Sequence, residues 1–202
     1  MRLLAIDTAT PACSVALFDG DRLIAGDCAV IGRGHAERLV PMIAALPGRG
    51  RADRICVSLG PGSFTGVRIG LAAARALGLA WGAEVLGYPT LALVAAMARA
   101  GADLPVSVAM TGGHGEWFVQ NFAGTGLSGG EPVSLPPAQA QAACTTPLVA
   151  GDRAADLVAA RGWGEAQQIL PDARAFTLLP SGCLLPALSP LYGRAPDAKL
   201  PG

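Results

Sequence analysis

The order of strand-like and helix-like segments in the first hundred residues constrains the fold of this chain most strongly. Short apolar runs at residues 2–6, 13–18 and 22–28 are typical of strands, and Asp19-Gly20-Asp21 between the last two indicates a hairpin turn. Helical and strand-like segments then alternate over residues 35–46, 54–59, 65–81, 84–87 and 90–100. Three antiparallel strands followed by this alternation predict mixed sheets with helices packed on them.

This α/β pattern is typical of the ribonuclease H-like fold, on which actin, hexokinase and their relatives are built. After residues 101–103 the pattern restarts with an apolar run at 105–110, a glycine-rich turn at 111–115 and a strand-like run at 117–122. We therefore predict two lobes, an N-terminal lobe over residues 1–102 and a smaller, reduced copy over residues 103–180.

The second lobe and the chain end carry weaker signals. We predict a strand at 148–150, a helix from Asp152 to about Arg161 and a short strand near 168–170. Five prolines from Pro180 onward predict that residues 181–202 form an extended tail rather than a helix.

Composition limits the classes of function. Hydrophobic residues make up 51% of the chain and charged residues 15%, so we expect apolar surface to meet another protein. Fifteen basic residues balance fifteen acidic ones without a basic stripe, which leaves nucleic-acid contact to a partner. Five widely spaced cysteines indicate reduced thiols, and no signal peptide or membrane span is evident, so we expect a cytoplasmic protein.

A glycine-rich loop links a strand to a helix over residues 58–70. Free N–H groups and the positive end of the helix dipole suit an anion such as phosphate. The loop has neither the Gly-Lys-Ser/Thr of a Walker motif nor the last glycine of a dinucleotide motif, where Thr65 stands. A phosphate-binding loop and a structural turn capped by Ser63 or Thr65 both remain open.

The predicted helix over residues 65–81 is apolar nearly all round. Such a helix is buried on two sides, and its small residues allow close approach of a neighbour. Arg68 and Arg75 project about 20° apart around the axis and form one polar stripe. The stripe is either a solvated edge or a pair of anchors near a protein interface or a phosphate. The helix over 35–46 is amphipathic, and Pro41 within it predicts either a bend or a tolerated surface proline.

Four segments closely resemble the TsaB (YeaZ) family. They are residues 4–10 (Leu-Ala-Ile-Asp-Thr-Ala-Thr), the helix start His35-Ala36-Glu37-Arg38-Leu39 with Pro41, the stretch 60–70, and Pro190-Leu191-Tyr192 with Pro196-Asp197-Ala198. Where the family usually shows Asp-Ala-Arg-Arg-Gly-Glu-Val-Tyr, residues 110–117 read Met-Thr-Gly-Gly-His-Gly-Glu-Trp, so the role of that segment stays open.

The resemblance implies a non-catalytic partner subunit in the synthesis of threonylcarbamoyladenosine on tRNA. TsaB-like proteins pair with the related catalytic subunit TsaD, and with the ATPase TsaE, during transfer of threonylcarbamoyl from its adenylate to tRNA. It also implies no catalytic residue, metal or cofactor of the chain's own, ATP or ADP at the complex interface, a homodimer when TsaD is absent, and tRNA contact only through the complex. The helices over 35–46 and 65–81 match those that pack against TsaD, which predicts these interface residues: Leu39, Ile43, Gly66, Arg68, Gly70, Ala73, Ala74, Arg75 and Leu77.

Two other functions share single features with this sequence. A metallopeptidase of the glycoprotease type needs a H-x-x-x-H pair, whereas His35 is followed at the fourth position by Leu39 and His114 lies far away. A free-standing actin-like ATPase or sugar kinase would use Asp7 to hold a hydrated magnesium ion. The candidate phosphate or nucleotide contacts are Asp7, Gly60, Gly62, Ser63 and Thr65. Since no second phosphate loop is evident, we predict no ATP hydrolysis by the chain alone.

Overall fold

The first lobe of the computed structural model, which describes residues 1–124, 128 and 130–193, is built on a five-stranded mixed sheet. Its strands are β1 (Arg2–Asp7), β2 (Ala12–Asp19), β3 (Arg22–Val30), β4 (Arg54–Ser58) and β5 (Glu84–Tyr88), in the order β3-β2-β1-β4-β5. The three N-terminal strands are antiparallel, and β4 and β5 continue the sheet in parallel with β1. β1 is therefore central, and its last five residues are buried.

Helices cover both faces of this sheet. α1 (His35–Ala45) continues through Pro41, and it packs beside α2 (Phe64–Trp81) on one face. A short 3-10 helix, Pro47–Gly50, links α1 to β4. α3 (Thr90–Arg99) lies on the opposite face and is buried on nearly all sides. No helix in the described ranges combines the length and the hydropathy needed to span a bilayer.

A second five-stranded sheet forms the other lobe. Its strands are β6 (Val106–Thr111), β7 (Trp117–Phe122), β8 (Val133–Leu135), β9 (Leu148–Ala150) and β10 (Glu165–Gln167), in the order β10-β9-β6-β7-β8. α4 (Pro137–Ala143) and α5 (Ala154–Arg161) cover one face, and α3 covers the other. α3 thus lies between the two sheets, in one hydrophobic core that both lobes share.

The chain end returns to the first lobe. A 3-10 helix, Ala173–Leu178, brings the ring of Phe176 to within 5.6 Å of Tyr88 and 6.2 Å of Phe18, measured between ring centroids. A 3-10 turn at Ser181–Cys183 precedes residues 184–193, which run without helix or strand. We call residues 184–193 the strap. The predicted features at Pro196-Asp197-Ala198 and Pro201 lie outside the described residues.

The two-lobed, ribonuclease H-like α/β fold predicted from the sequence is confirmed. Two elements differ from their predicted positions. The last strand is Glu165–Gln167 rather than 168–170, and α5 begins at Ala154 rather than Asp152. Asp152 instead accepts hydrogen bonds from Thr111, which holds it outside the helix. β8 and α4 were missed, since three residues give no measurable alternation and α4 carries only alanine and glutamine after its proline.

Candidate functional site

The glycine-rich loop before α2 is clamped against the turn between β1 and β2. Ser63 donates its backbone N–H to the Ala9 carbonyl at 2.6 Å, and its hydroxyl accepts the N–H of Gly66 at 3.2 Å. Of the two residues that could cap α2, Ser63 and Thr65, Ser63 is therefore the one that does so. Gly60 has a φ of 91° and precedes a cis bond to Pro61.

The small residues of α2 face the chain's own sheet. The carbonyl of Gly66 accepts the Thr8 hydroxyl at 2.7 Å. A methyl group at Gly66 would overlap the Thr8 carbonyl oxygen, and one at Gly70 would overlap the Thr8 hydroxyl. Glycine at these positions lets the helix axis approach the end of β1 closely, so this side of α2 packs on the chain's own sheet.

The predicted interface residues consequently divide into two groups. Leu39, Ile43, Gly66, Gly70 and Ala74 are buried within the chain, where they pack the helices on the sheet. Their contact with a partner stays a prediction. Arg68 and Arg75 are exposed, while Ala73 and Leu77 are partly buried, and an interface role for these four stays a prediction.

The opposite side of the helix pair is apolar and exposed. Leu79 on α2 has 89% of its surface exposed, and Val40 on α1 has 61%. Ala44, Ala72 and Ala76 are exposed beside them. Because α1 and α2 pack on the same face of the sheet, these side chains lie on the same outer side of the first lobe. We call Val40, Ala44, Ala72, Ala76 and Leu79 the α1/α2 face.

Both arginines of the polar stripe bind the strap. Arg68 donates from Nη2 to the Tyr192 hydroxyl at 2.7 Å, and its guanidinium lies 3.2 Å from the centroid of the Phe64 ring. Arg75 donates from Nη2 to the carbonyl of Leu188 at 2.6 Å. The stripe is thus exposed to solvent and also anchors a distant part of the same chain.

A cleft of about 850 Å³ separates the lobes. Its lining includes the β1–β2 turn, the loop before α2, the β6–β7 turn and the end of the strap. Of the candidate nucleotide contacts, Gly62 and Ser63 line this cleft, whereas Asp7, Gly60 and Thr65 lie outside the lining. Most of the lining is apolar, with Met110, Phe118 and Leu191 among its residues.

The segment 111–117, whose role was open, forms the β6–β7 turn at the cleft. Gly112 donates its N–H to the Glu116 carbonyl at 2.8 Å, and His114 adopts a φ of 57°. Asp152 reaches this turn from the β9–α5 connection and accepts from the Thr111 N–H at 2.8 Å. The residues next to β6 in the sequence do not indicate this carboxylate, because it comes from 41 residues farther along the chain.

Asp7 is buried below the β1–β2 turn. One carboxylate oxygen accepts the Ala9 N–H at 3.0 Å, and the other accepts the Tyr88 hydroxyl at 3.2 Å. Burial raises the pKa of Asp7 to about 6, since these hydrogen bonds compensate only part of the lost hydration. Asp7 therefore acts as part of a buried polar network in this structure.

Replacing Asp7 by asparagine should stabilise the protein at neutral pH. A pKa that rises on folding from 3.8 to about 6 means that folding stability falls as pH increases between these values and stays lowered above pH 6. This difference in pKa limits the gain in folding free energy from Asp7→Asn to about 3 kcal/mol. The weaker hydrogen bonds of the amide reduce that gain. Urea unfolding from pH 4 to pH 8 would measure this, and an equal pH slope for Asp7→Asn and the unsubstituted chain would contradict it.

His35 has a structural environment. Its side chain is buried, and Nε2 lies 2.8 Å from the Thr10 carbonyl oxygen and 3.3 Å from that of Ala12. This ties the start of α1 to the β1–β2 turn. Within residues 1–124, 128 and 130–193, no cluster of three or more histidine, cysteine, aspartate or glutamate side chains could hold a metal ion.

The chain is similar to proteins of known families in sequence and in fold. The family model of TsaD, tRNA N6-adenosine threonylcarbamoyltransferase, matches residues 29–135, about half of the chain. An uncharacterised protein from Pseudomonas aeruginosa, described as similar to the peptidase YeaZ, is 31% identical with a TM-score of 0.72 and covers 86% of this chain and 87% of its own. The chain belongs to the TsaB (YeaZ) family. YeaZ from the same organism superposes with a TM-score of 0.79 at 29% identity, covering 95% of this chain and 99% of its own.

Curated TsaB relatives match about half of the chain. The tRNA threonylcarbamoyladenosine biosynthesis protein TsaB of Escherichia coli is 44% identical over 102 residues, which are 47% of this chain and 43% of that protein. The Haemophilus influenzae TsaB is 40% identical over 110 residues, or 52% of this chain and 44% of that protein. The match thus spans less than half the length of these two curated relatives. Ethanolamine utilisation protein EutJ, at 12% identity and a TM-score of 0.54, shares the fold alone.

Proposed function

We propose that this member of the TsaB family is a partner subunit in tRNA threonylcarbamoyladenosine biosynthesis. Its role is to bind and activate the catalytic subunit TsaD for transfer of threonylcarbamoyl from its adenylate to a tRNA adenosine next to the anticodon. Support comes from the family membership and from the biosynthetic role named for the curated relatives.

The observation that carries the proposal is the α1/α2 face. Leu79 and Val40 leave most of their apolar surface in water, although the same helices bury their opposite sides fully. Covering one such side chain contributes about 1.5–3 kcal/mol, so a protein partner on this face would gain binding free energy from several of them. Arg68 and Arg75 flank the face and supply polar contacts at its rim.

We also propose the remaining partners that family membership suggests. When TsaD is absent, a second copy of the chain covers the α1/α2 face, which gives a homodimer. TsaE joins the assembly of this chain with TsaD, and ATP or ADP binds at the interface of the complex. The tRNA contacts the complex rather than this chain alone, in keeping with fifteen basic and fifteen acidic residues that leave no net charge.

Reconstitution tests the proposal directly. TsaD, TsaE, the threonylcarbamoyl adenylate and tRNA are combined with and without this chain, and modified adenosine is quantified by mass spectrometry. We expect modification to require the chain and a TsaD complex to appear by light scattering. Modification at the same rate without the chain would contradict the proposal.

The inter-lobe cleft supports a second candidate function, nucleotide binding by the chain itself. Gly62 and Ser63 bring the N-terminal end of α2 to the cleft wall. We nevertheless expect no ATP turnover by the purified chain, since the carboxylate of Asp7 is buried and hydrogen bonded away from the cleft. Turnover of ATP with magnesium would be measured for the chain and for Asp7→Asn, and turnover that Asp7→Asn abolishes would contradict this expectation. Equal turnover by both identifies a contaminating ATPase.

A further inference from the structure

The strap connects three parts of the molecule. At its start, Leu185 forms an antiparallel bridge with Gly87 of β5, with hydrogen bonds of 2.8 and 2.9 Å. Farther along, the Leu191 N–H donates to the Leu59 carbonyl at 2.8 Å. At its end, the Gly193 carbonyl accepts the N–H of Ser134 in β8 at 2.8 Å. The strap therefore begins on the first lobe and ends on the second.

The end of the strap also forms a wall of the inter-lobe cleft. Pro190, Leu191, Tyr192 and Gly193 are all part of the cleft lining. Gly193 packs against Phe118 so closely that an added methyl group would lie 2.7 Å from a ring carbon. Displacement of the strap would consequently remove one wall of the cleft and one hydrogen bond between the lobes.

The stripe of Arg68 and Arg75 separates the strap from the α1/α2 face. Seen along the axis of α2, Leu79 projects about 20° to one side of Arg68 and Arg75 about 20° to the other. The acceptors of these arginines are neutral: the carbonyls of Phe64 and Leu188 and the hydroxyl of Tyr192. Within the described residues, neither guanidinium has a carboxylate at ion-pair distance.

A carboxylate is a stronger acceptor for a guanidinium than a carbonyl or a phenol, because the hydrogen bond is charge-assisted and can be bidentate. A protein that docks on the α1/α2 face with carboxylates at its rim would therefore compete with the strap for both arginines. We propose that such docking takes Arg68 and Arg75 from Tyr192 and Leu188, releases the strap and opens the inter-lobe cleft. This inference rests on the proposed function for the site of docking, and it adds a conformational consequence.

Hydrogen–deuterium exchange of the free chain tests whether Arg68 and Arg75 hold the strap in place. The double variant Arg68→Gln with Arg75→Gln removes both anchors and leaves the buried side of α2 unchanged. We expect the Leu191 and Ser134 amides to exchange about tenfold faster in this variant than in the unsubstituted chain. The matched control is Arg22→Gln with Arg51→Gln, which changes the net charge equally at two exposed arginines away from the strap. Equal exchange in the two double variants would overturn the inference.

Hydrogen–deuterium exchange in the complex with TsaD tests whether docking releases the strap. We expect the strap amides to exchange at least tenfold faster in the complex than in the free chain, although amides in the α1/α2 helices become protected. A complex in which the strap amides are unchanged or protected overturns the release of the strap and leaves the proposed function intact. If no complex forms at micromolar concentrations of both proteins, the proposed function fails and strap release by TsaD fails with it.

Discussion

Replacing Leu79 with glutamate is expected to weaken binding to TsaD at least about 100-fold and to abolish stimulation of tRNA modification. Leu79 is 89% exposed, so glutamate is well solvated in the free chain and should leave its folding unchanged. In the complex the same carboxylate would be removed from water against an apolar partner, which costs several kcal/mol. A loss of about 3 kcal/mol already corresponds to a factor of about 100 in the dissociation constant. Isothermal titration and light scattering would measure the affinity and the mass of the assembly.

The matched control is Leu104→Glu. Leu104 is 49% exposed and lies in the connection between α3 and β6, away from the α1/α2 face. This variant carries the same change in charge and hydropathy, so we expect TsaD binding within about twofold of the unsubstituted chain. If Leu79→Glu binds TsaD as well as Leu104→Glu does, the partner does not use the α1/α2 face.

The second large effect is on folding rather than on binding. Replacing Gly66 with alanine should lower the free energy of unfolding by about 3 kcal/mol, even though alanine is favoured over glycine in helices by about 1 kcal/mol. The added methyl group overlaps the carbonyl oxygen of Thr8, which belongs to the backbone at the end of β1 and has little freedom to move. Relief of this overlap requires α2 to shift away from the sheet.

Urea unfolding followed by circular dichroism would measure this loss. Gly113→Ala is the control, since an added methyl group there meets no atom within 4 Å. We expect that variant to change stability by less than about 0.5 kcal/mol. A Gly66→Ala protein as stable as Gly113→Ala but unable to bind TsaD would instead support the prediction that the small-residue side of α2 faces a partner.

The fold could be predicted from the sequence because the patterns that indicate its strands and helices lie within short stretches of the chain. Alternation of strand and helix periods, together with the hairpin turn at Gly20, determines which elements form and in what order. The prediction of β8 and β10 failed for the same reason. Each of these strands has three residues, and it is stabilised by pairing with β7 or β9 rather than by a pattern in its own sequence.

The sides of α2 show why the candidate site was harder to predict. Helical periodicity correctly placed Gly66, Gly70 and Ala74 on one side of the helix, but it gives only angles between residues. Which side meets the sheet depends on the position of Thr8, 58 residues from Gly66 in the chain. The contacts of Arg68 and Asp7 likewise involve Tyr192 and Tyr88, which are 124 and 81 residues away.

The position of α3 has a consequence for the stability of each lobe. This helix contributes Leu91, Leu93 and Val94 to a core that also contains Phe18 from the first sheet and Val108 from the second. A chain cut near residue 102 would leave α3 with one apolar side uncovered in the N-terminal fragment, and the face of the second sheet that α3 covers would be exposed in the other fragment. We therefore expect the two lobes to unfold in a single cooperative transition, with neither fragment persisting alone, so that a ligand bound to one lobe also raises the melting temperature of the other.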